Sequence, residues 1–302
     1  MIEDTPTQKH PRPGNSSSGA WLVWDRMPQQ LREPSHKLIG FARRLNAHTT
    51  KLPSGTPPPL PASAVDLRTL HGGFWFDDDD RKVTTWIRRQ ATWEQDVIRC
   101  LAWAVRPGMT AVDVGANVGF LAVQLSRFVG PTGRVHAFEP HPVTLELLRA
   151  NLWRHRCANT TVHPCAASEH AGRVELVADP EGLSGVHMGS GGISVEAVTL
   201  DEALGGTPVD FMKIDVEGAE PMVLRGARAT IAASRRVVAV AEFRGYDHLD
   251  GSSPDETLDL YESLGFTVSL LRADGRPVDA SRAAVLEAAR RVDTLNVILQ
   301  KS

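Results

Sequence analysis

The chain alternates between short apolar runs and longer stretches in which apolar residues recur every three or four positions. Runs at 110–114, 134–138, 160–167, 209–215 and 236–243 have the length of buried strands. Between and around them, 93–105, 120–128, 142–155, 217–233 and 255–264 carry helical spacing. Two last apolar runs, 266–271 and 294–300, are expected to pair as a long-looped antiparallel hairpin. Such alternation predicts an α/β fold: a Rossmann-like, mostly parallel sheet covered by helices on both faces and closed by that hairpin. In these sheets ligands sit beyond the carboxyl ends of the strands, where the strand order switches.

The flanking segments read differently. Residues 64–90 look like hairpin material, with Gly73-Phe-Trp-Phe76 leading in, the acids 77–80 forming a solvated turn and 82–87 leading out. The acid run lacks the alternation, central glycine and closing Glu of a calcium loop. Residues 173–178 and 193–198 form a ribbon around a Gly/Ser-rich loop at 182–192. Stretches 1–20 and 48–63 are rich in Pro, Gly, Ser and Thr and are expected to be disordered. Between them an amphipathic helix within 21–48 sets Leu38, Ile39, Phe41 and Leu45 against Lys37, Arg43 and Arg44. It suits packing on its own domain, a lid over the site or a homodimer contact. The expected division is therefore an N-terminal extension, 1–63, and a domain, 64–302, made of a lead-in (64–105) and a Rossmann-like core (106–302).

Composition narrows the partners. With 302 residues, 42% hydrophobic and 23% charged, the chain can bury a sizeable core. A net charge of -3 supplies no basic field for nucleic acid. No apolar run reaches the roughly 18 residues of a membrane span. The early acids argue against a signal peptide. The three cysteines contain no C-x-x-C pair, which favours buried thiols in a reducing, cytoplasmic setting.

The chemistry concentrates where the first core strand ends, in Asp113-Val-Gly-Ala-Asn-Val-Gly-Phe120. Gly115 and Gly119 permit a tight turn and close ligand approach. A helix starting near Val118 is expected to aim its unpaired N–H groups at the ligand. Glu139 ends the next strand, where an acid accepts hydrogen bonds from a ribose diol. Asn117 stands where a dinucleotide site wants glycine, and the Asp113 carboxylate repels pyrophosphate but suits an ammonium group. S-adenosylmethionine, with a ribose, an amino acid head and no phosphate, fits better than NAD.

These motifs, together with Ala137-Phe-Glu-Pro140, Lys213-Ile-Asp-Val-Glu-Gly-Ala-Glu220 and Val223-Leu-Arg-Gly-Ala227, resemble the FkbM family of S-adenosylmethionine-dependent methyltransferases. The resemblance spans roughly 74–299. It implies a class I methyltransferase sheet of seven strands and O-methylation of a small-molecule, natural-product or sugar hydroxyl. It places Gly115 and Gly119 beside the cofactor's amino acid head, Asp113 at its ammonium, Glu139 at the ribose and the turn at Ala166, Ala167 and Ser168 beside the adenine. An Asp common in that last turn is replaced here, leaving Ser168 or Glu169 to serve.

For taking the acceptor's proton the rim offers Asp215 first, then Glu242 and Glu217, with Glu220 and His248 behind them. Glu220 also suits the dipole of the helix it opens. Related macrocin-type methyltransferases hold magnesium with acids after the fourth and fifth strands. Here Asp215 and Glu242 take those places, but Phe243-Arg244 replaces the second acid after the fifth strand, so no metal is expected to be required. The acceptor pocket is expected from the N-terminal helix, the 182–192 loop and 246–253. Two other readings stand beside methyl transfer: a non-catalytic cofactor-binding partner subunit, and an NAD-dependent oxidoreductase on the same sheet.

Overall fold

The computed structural model describes residues 56–179, 182–292 and 294–302. It opens with a hairpin, β1 (Ala64–Thr69) and β2 (Gly72–Asp77), followed by α1 (Arg81–Gln90) and α2 (Gln95–Ala104). Then come β3 (Thr110–Val114), α3 (Phe120–Val129), β4 (Arg134–Phe138), α4 (Pro142–Arg154) and β5 (Thr160–His163). A run of strands follows, β6 (Ala166–Ala167), β7 (Gly172–Asp179), β8 (Gly182–Met188) and β9 (Ile193–Val198), then α5 (Leu200–Leu204). The rest is β10 (Phe211–Ile214), α6 (Glu220–Arg225), α7 (Arg228–Ala233), β11 (Val237–Arg244), α8 (Pro254–Ser263), β12 (Thr267–Leu271), β13 (Pro277–Asp279), α9 (Arg282–Arg290) and β14 (Thr294–Lys301).

The main sheet runs β13-β12-β14-β11-β10-β3-β4-β5. From β11 to β5 neighbouring strands are parallel, whereas β14 runs antiparallel between β11 and β12. The expected closing hairpin is present, but β13 and α9 fill its connection, and β13 makes the described sheet eight-stranded rather than seven-stranded. The central strands are buried on both faces, which is why they read as continuous apolar runs. Ala111 and Val240 belong to the apolar layer under α2 and α3, while Val112, Val114, Ala239 and Phe243 belong to the layer under α6, α7 and α8.

Several expectations are corrected. Residues 82–87 form α1, not a returning strand; the hairpin partner of β2 is β1. The acids 77–80 are only in part a solvated turn, because Asp77 and Asp80 are buried and Asp80 caps α1 by accepting the Val83 N–H at 3.0 Å. The run 160–167 divides: β5 stays in the main sheet and β6 joins a second one, β6-β9-β7-β8. Residues 182–188 of the expected loop are β8. The stretch 217–233 is two short helices, and Glu217 lies before them at φ 53. The amphipathic helix expected within 21–48 lies outside the described residues.

The hairpin is tied to the core by a buried polar cluster. The Asn151 amide, fully buried on α4, accepts the Trp75 N–H and donates to the carbonyls of Trp75 and Val118, each at 2.8 Å. His155 Nε2 meets the Gly73 carbonyl at 3.0 Å and Nδ1 meets Arg127 at 2.9 Å, a pattern that assigns the neutral tautomer with its proton on Nε2. Burial and the Arg127 charge lower the His155 and His71 imidazoles to about 3.

Below pH 6.5 the unfolded chain takes up protons that these native imidazoles refuse. Their stabilisation is thus present above that pH and fades toward pH 3, at about 1.4 kcal/mol per unit for each group. Urea unfolding across pH 4–8 is expected to show a shallower acid loss in His155→Gln than in wild type. Equal slopes would contradict the assignment; buried acids, whose slopes run the other way, cancel in the comparison.

Candidate active site

The turn after β3 is built on alternating left-handed residues: Gly115 at φ 81, Asn117 at φ 49 and Gly119 at φ 83. Asparagine tolerates that conformation better than most residues, which explains its place here. A Cβ at Gly115 would stand 1.9 Å from the Asp215 carbonyl oxygen, so glycine is what lets β3 and β10 end side by side. Gly119 serves a different contact. Its missing Cβ faces Leu148 at 2.6 Å, letting the start of α3 close on α4.

The N–H groups of this turn are spent inside the protein. Gly115 and Ala116 donate to the Phe138 carbonyl at 3.1 and 2.9 Å, and Gly119 donates to the Ala116 carbonyl at 2.8 Å. Asn117 donates to Glu139 Oε2 at 2.8 Å, and Val118 to the Asn117 side-chain oxygen at 2.6 Å. The helix expected to start near Val118 begins at Phe120, so the N–H groups of Val118 and Gly119 belong to the turn and are bonded within the protein.

Acids face the ligand space instead. A cavity of about 320 Å³ opens at the carboxyl ends of β3, β4, β10 and β11, within the size range of small-molecule sites. Glu139 lines it, nearly buried, its carboxylate fixed by the His141 N–H and the Thr144 hydroxyl at 2.8 Å each as well as by Asn117. Burial raises its pKa, and these bonds work against the rise. Asp113 also lines the cavity and is 1% exposed, and its Oδ2 has no hydrogen-bond partner among the described residues. Burial pushes Asp113 up to about 7; the Lys213 charge opposes this, and Asp215 and Glu139 add to it.

On the β10 side the Lys213 ammonium, 2% exposed, meets Asp215 Oδ2 at 2.8 Å and Glu94 at 3.4 Å. Burial alone would lower this ammonium, but Asp215, Glu94 and Asp113 more than reverse it, and the pKa is raised. Glu94 is pushed up to about 7 by burial. Glu217 is held by Arg244 at 3.0 Å and is raised by burial and by Asp215. Glu242, 3.7 Å from Arg244, is pushed up to about 8, first by burial and then by Asp215, Glu220 and Glu217.

The cavity thus brings together Asp113, Gly115, Asn117, Glu139, Ala167, Asp215, Glu217 and Glu242. Gly119 and Ser168 stand outside it; the Ser168 N–H continues the second sheet by donating to the Val198 carbonyl at 2.9 Å, and Cys165 and Ala166 line the cavity beside Ala167. His248 is buried off the cavity, and 246–253 does not reach it, while His187 and Met188 from the expected 182–192 loop do. Glu94, Thr294 and Asn296 also line the cavity, with no local signal along the chain to mark them. Glu94 shows its role only through geometry, as a left-handed residue (φ 42) whose side chain turns away from capping α2.

A parallel sheet whose β14 reverses between β11 and β12, with an acid at the end of β4 and a glycine turn after β3, is a Rossmann-like sheet of the class I methyltransferase kind. The methyltransferase FkbM domain model matches residues 113–268, and the chain belongs to the FkbM methyltransferase family. It is 32% identical over 216 residues to the 31-O-demethyl-FK506 methyltransferase FkbM of Streptomyces tacrolimicus, covering 59% of this chain and 76% of that protein. It is 25% identical over 197 residues to Methyltransferase 1 of Beauveria bassiana, covering 56% and 76%. Among solved structures, the O-methyltransferase from Bacillus cereus in complex with SAH aligns at TM-score 0.43 and 13% identity over 90% of this chain and 93% of that one, too distant to add to the sheet order.

Proposed function

We propose that this methyltransferase uses S-adenosylmethionine to methylate a hydroxyl of a small molecule, natural product or sugar. The observation that carries the cofactor is the pairing of a saturated turn with two buried carboxylates. Every N–H from Gly115 to Gly119 is already bonded within the protein, while Asp113 Oδ2 is buried and has no hydrogen-bond partner among the described residues. An ammonium group would satisfy that oxygen; a pyrophosphate would meet repulsion from Asp113 and a turn whose N–H groups are already bonded. Glu139 would hold the ribose diol, with Ala166 and Ala167 beside the adenine.

The cofactor supplies an electrophilic methyl group. The chain's part is to align the acceptor, exclude water and receive the hydroxyl proton. Asp215, Glu242 and Glu217 line the side of the cavity toward β10 and β11 and are the acids placed for that task, Asp215 first. A hydroxyl acceptor is further supported by the name of the Streptomyces relative, a methyltransferase of 31-O-demethyl-FK506. A non-catalytic partner subunit has less in its favour, since the rim acids are all present.

A melting-temperature assay tests the cofactor: S-adenosylhomocysteine is expected to stabilise the protein and NAD is not. The reverse pattern would point to the oxidoreductase reading. Asp113→Asn is expected to weaken S-adenosylhomocysteine binding by about 1.5–3 kcal/mol, the range for a hydrogen bond to a charged group. In wild type, affinity is expected to fall as pH drops below about 7, because Asp113, facing Lys213, Asp215 and Glu139, must ionise to meet the ammonium. Calorimetry across pH 5.5–8 reads both effects, and an unchanged pH dependence in Asp113→Asn would refute the role.

A further inference from the structure

We propose that Asp215, Glu220 and Glu242 hold a divalent cation of the magnesium or manganese class at the cavity wall, with His248 behind it. One oxygen from each carboxylate lies within 4.8 Å of the others. From the sequence no metal is expected, because Phe243 and Arg244 stand where a second acid would follow Glu242. The fold brings the third acid from another element, Glu220 at the opening of α6.

Carboxylates close together do not by themselves define a site; the buried polar atoms around them do. Glu220 is fully buried. Its Oε1 accepts the N–H groups of Val216 at 2.9 Å and Gly218 at 3.2 Å, which fixes the carboxylate. Among the described residues its Oε2 has no hydrogen-bond partner, and neither does Glu242 Oε2. The His248 side chain is fully buried, both ring nitrogens lack a hydrogen-bond partner among the described residues, and Nδ1 stands 3.5 Å from Glu220 Oε2. The hydroxyl of Tyr261, wholly buried, also has no hydrogen-bond partner among the described residues.

Buried polar atoms are nearly always bonded, so unpaired ones that gather at one place mark a missing partner. Two of these atoms are carboxylate oxygens, which call for positive charge. The nearby side-chain cations answer that charge only in part: Lys213 takes Asp215 Oδ2 at 2.8 Å, and Arg244 donates to Glu217 at 3.0 Å and stands 3.7 Å from Glu242 Oε2, beyond hydrogen-bond distance. Carboxylate oxygens select hard divalent cations, which complete their shell with water. A buried imidazole touching a ligating carboxylate is the kind of outer partner that orients it. Asp215 and Glu242 also line the cavity, so the cation faces the space assigned to the acceptor.

The test is a Mn²⁺ titration of the full-length, EDTA-treated protein, following the free-Mn²⁺ resonance by electron paramagnetic resonance. Mg²⁺ competition and calorimetry with S-adenosylhomocysteine run in parallel. One Mn²⁺ per chain, displaced by Mg²⁺, is the expected result. Glu220→Gln is expected to weaken it by about tenfold or more, by removing one ligand charge, while S-adenosylhomocysteine affinity is retained. If Glu220→Gln does not fold, Glu242→Gln takes its place. A wild-type protein that leaves the Mn²⁺ signal unchanged overturns the inference, and so does Mn²⁺ binding unaltered in the folded variants. Cation binding needs neither cofactor nor acceptor, so its failure with S-adenosylhomocysteine still bound would leave the methyltransferase reading intact.

Discussion

Gly115→Ala is expected to destabilise the protein by about 2–4 kcal/mol, combining left-handed strain with overpacking. The new Cβ would stand 1.9 Å from the Asp215 carbonyl oxygen and 3.0 Å from its carbon, on backbone that cannot swing aside. Relief requires β3 and β10 to part at their carboxyl ends, which displaces Asp113 and Asp215 together. Cofactor affinity should fall with stability. Gly205→Ala is the control: it has φ +56 and nothing among the described residues within 4 Å of the added Cβ, so it carries strain alone, about 1 kcal/mol. Urea unfolding of both variants decides the matter, and a Gly115→Ala cost no larger than that of Gly205→Ala would contradict the tight approach.

Asp215→Asn is expected to reduce turnover by about 10²–10⁴-fold, the usual contribution of a general base. Folding should suffer far less. Lys213 keeps Glu94 at 3.4 Å and the Asp113 charge nearby, so the buried ammonium is not left alone. The informative readout is kcat with an acceptor that supports turnover, set beside S-adenosylhomocysteine affinity. Turnover near the wild-type rate would remove Asp215 from the chemistry. A collapse in cofactor affinity with unchanged kcat would make it a binding residue.

What the sequence made legible follows from local physics. Strands buried on both faces announce themselves, so β3, β4, β10 and β11 fall close to where their apolar runs predict. The glycine turn and Glu139 could be read because each depends on residues within one βαβ unit. The segment 82–87 misled because its β-branched Val83, Thr84, Thr85 and Ile87 suit a strand; Val83, Thr84 and Ile87 in fact face the core from one side of a helix that Asp80 starts. Glu217 was expected to open a helix, but Gly218 at φ 99 prolongs the turn and hands that position to Glu220. Glu94, Thr294 and Asn296 reach the cavity only through tertiary packing, from a helix start and from the antiparallel β14. Nothing in their neighbourhoods along the chain marks them.

The central claim is that the cavity holds S-adenosylmethionine through Asp113 and Glu139. Calorimetric titration of S-adenosylhomocysteine into wild type and Glu139→Ala tests it most directly. Binding in the micromolar range by wild type, weakened by about 1–3 kcal/mol in a folded Glu139→Ala, is the predicted result. Equal affinity in the two proteins, or no binding by wild type, would contradict it.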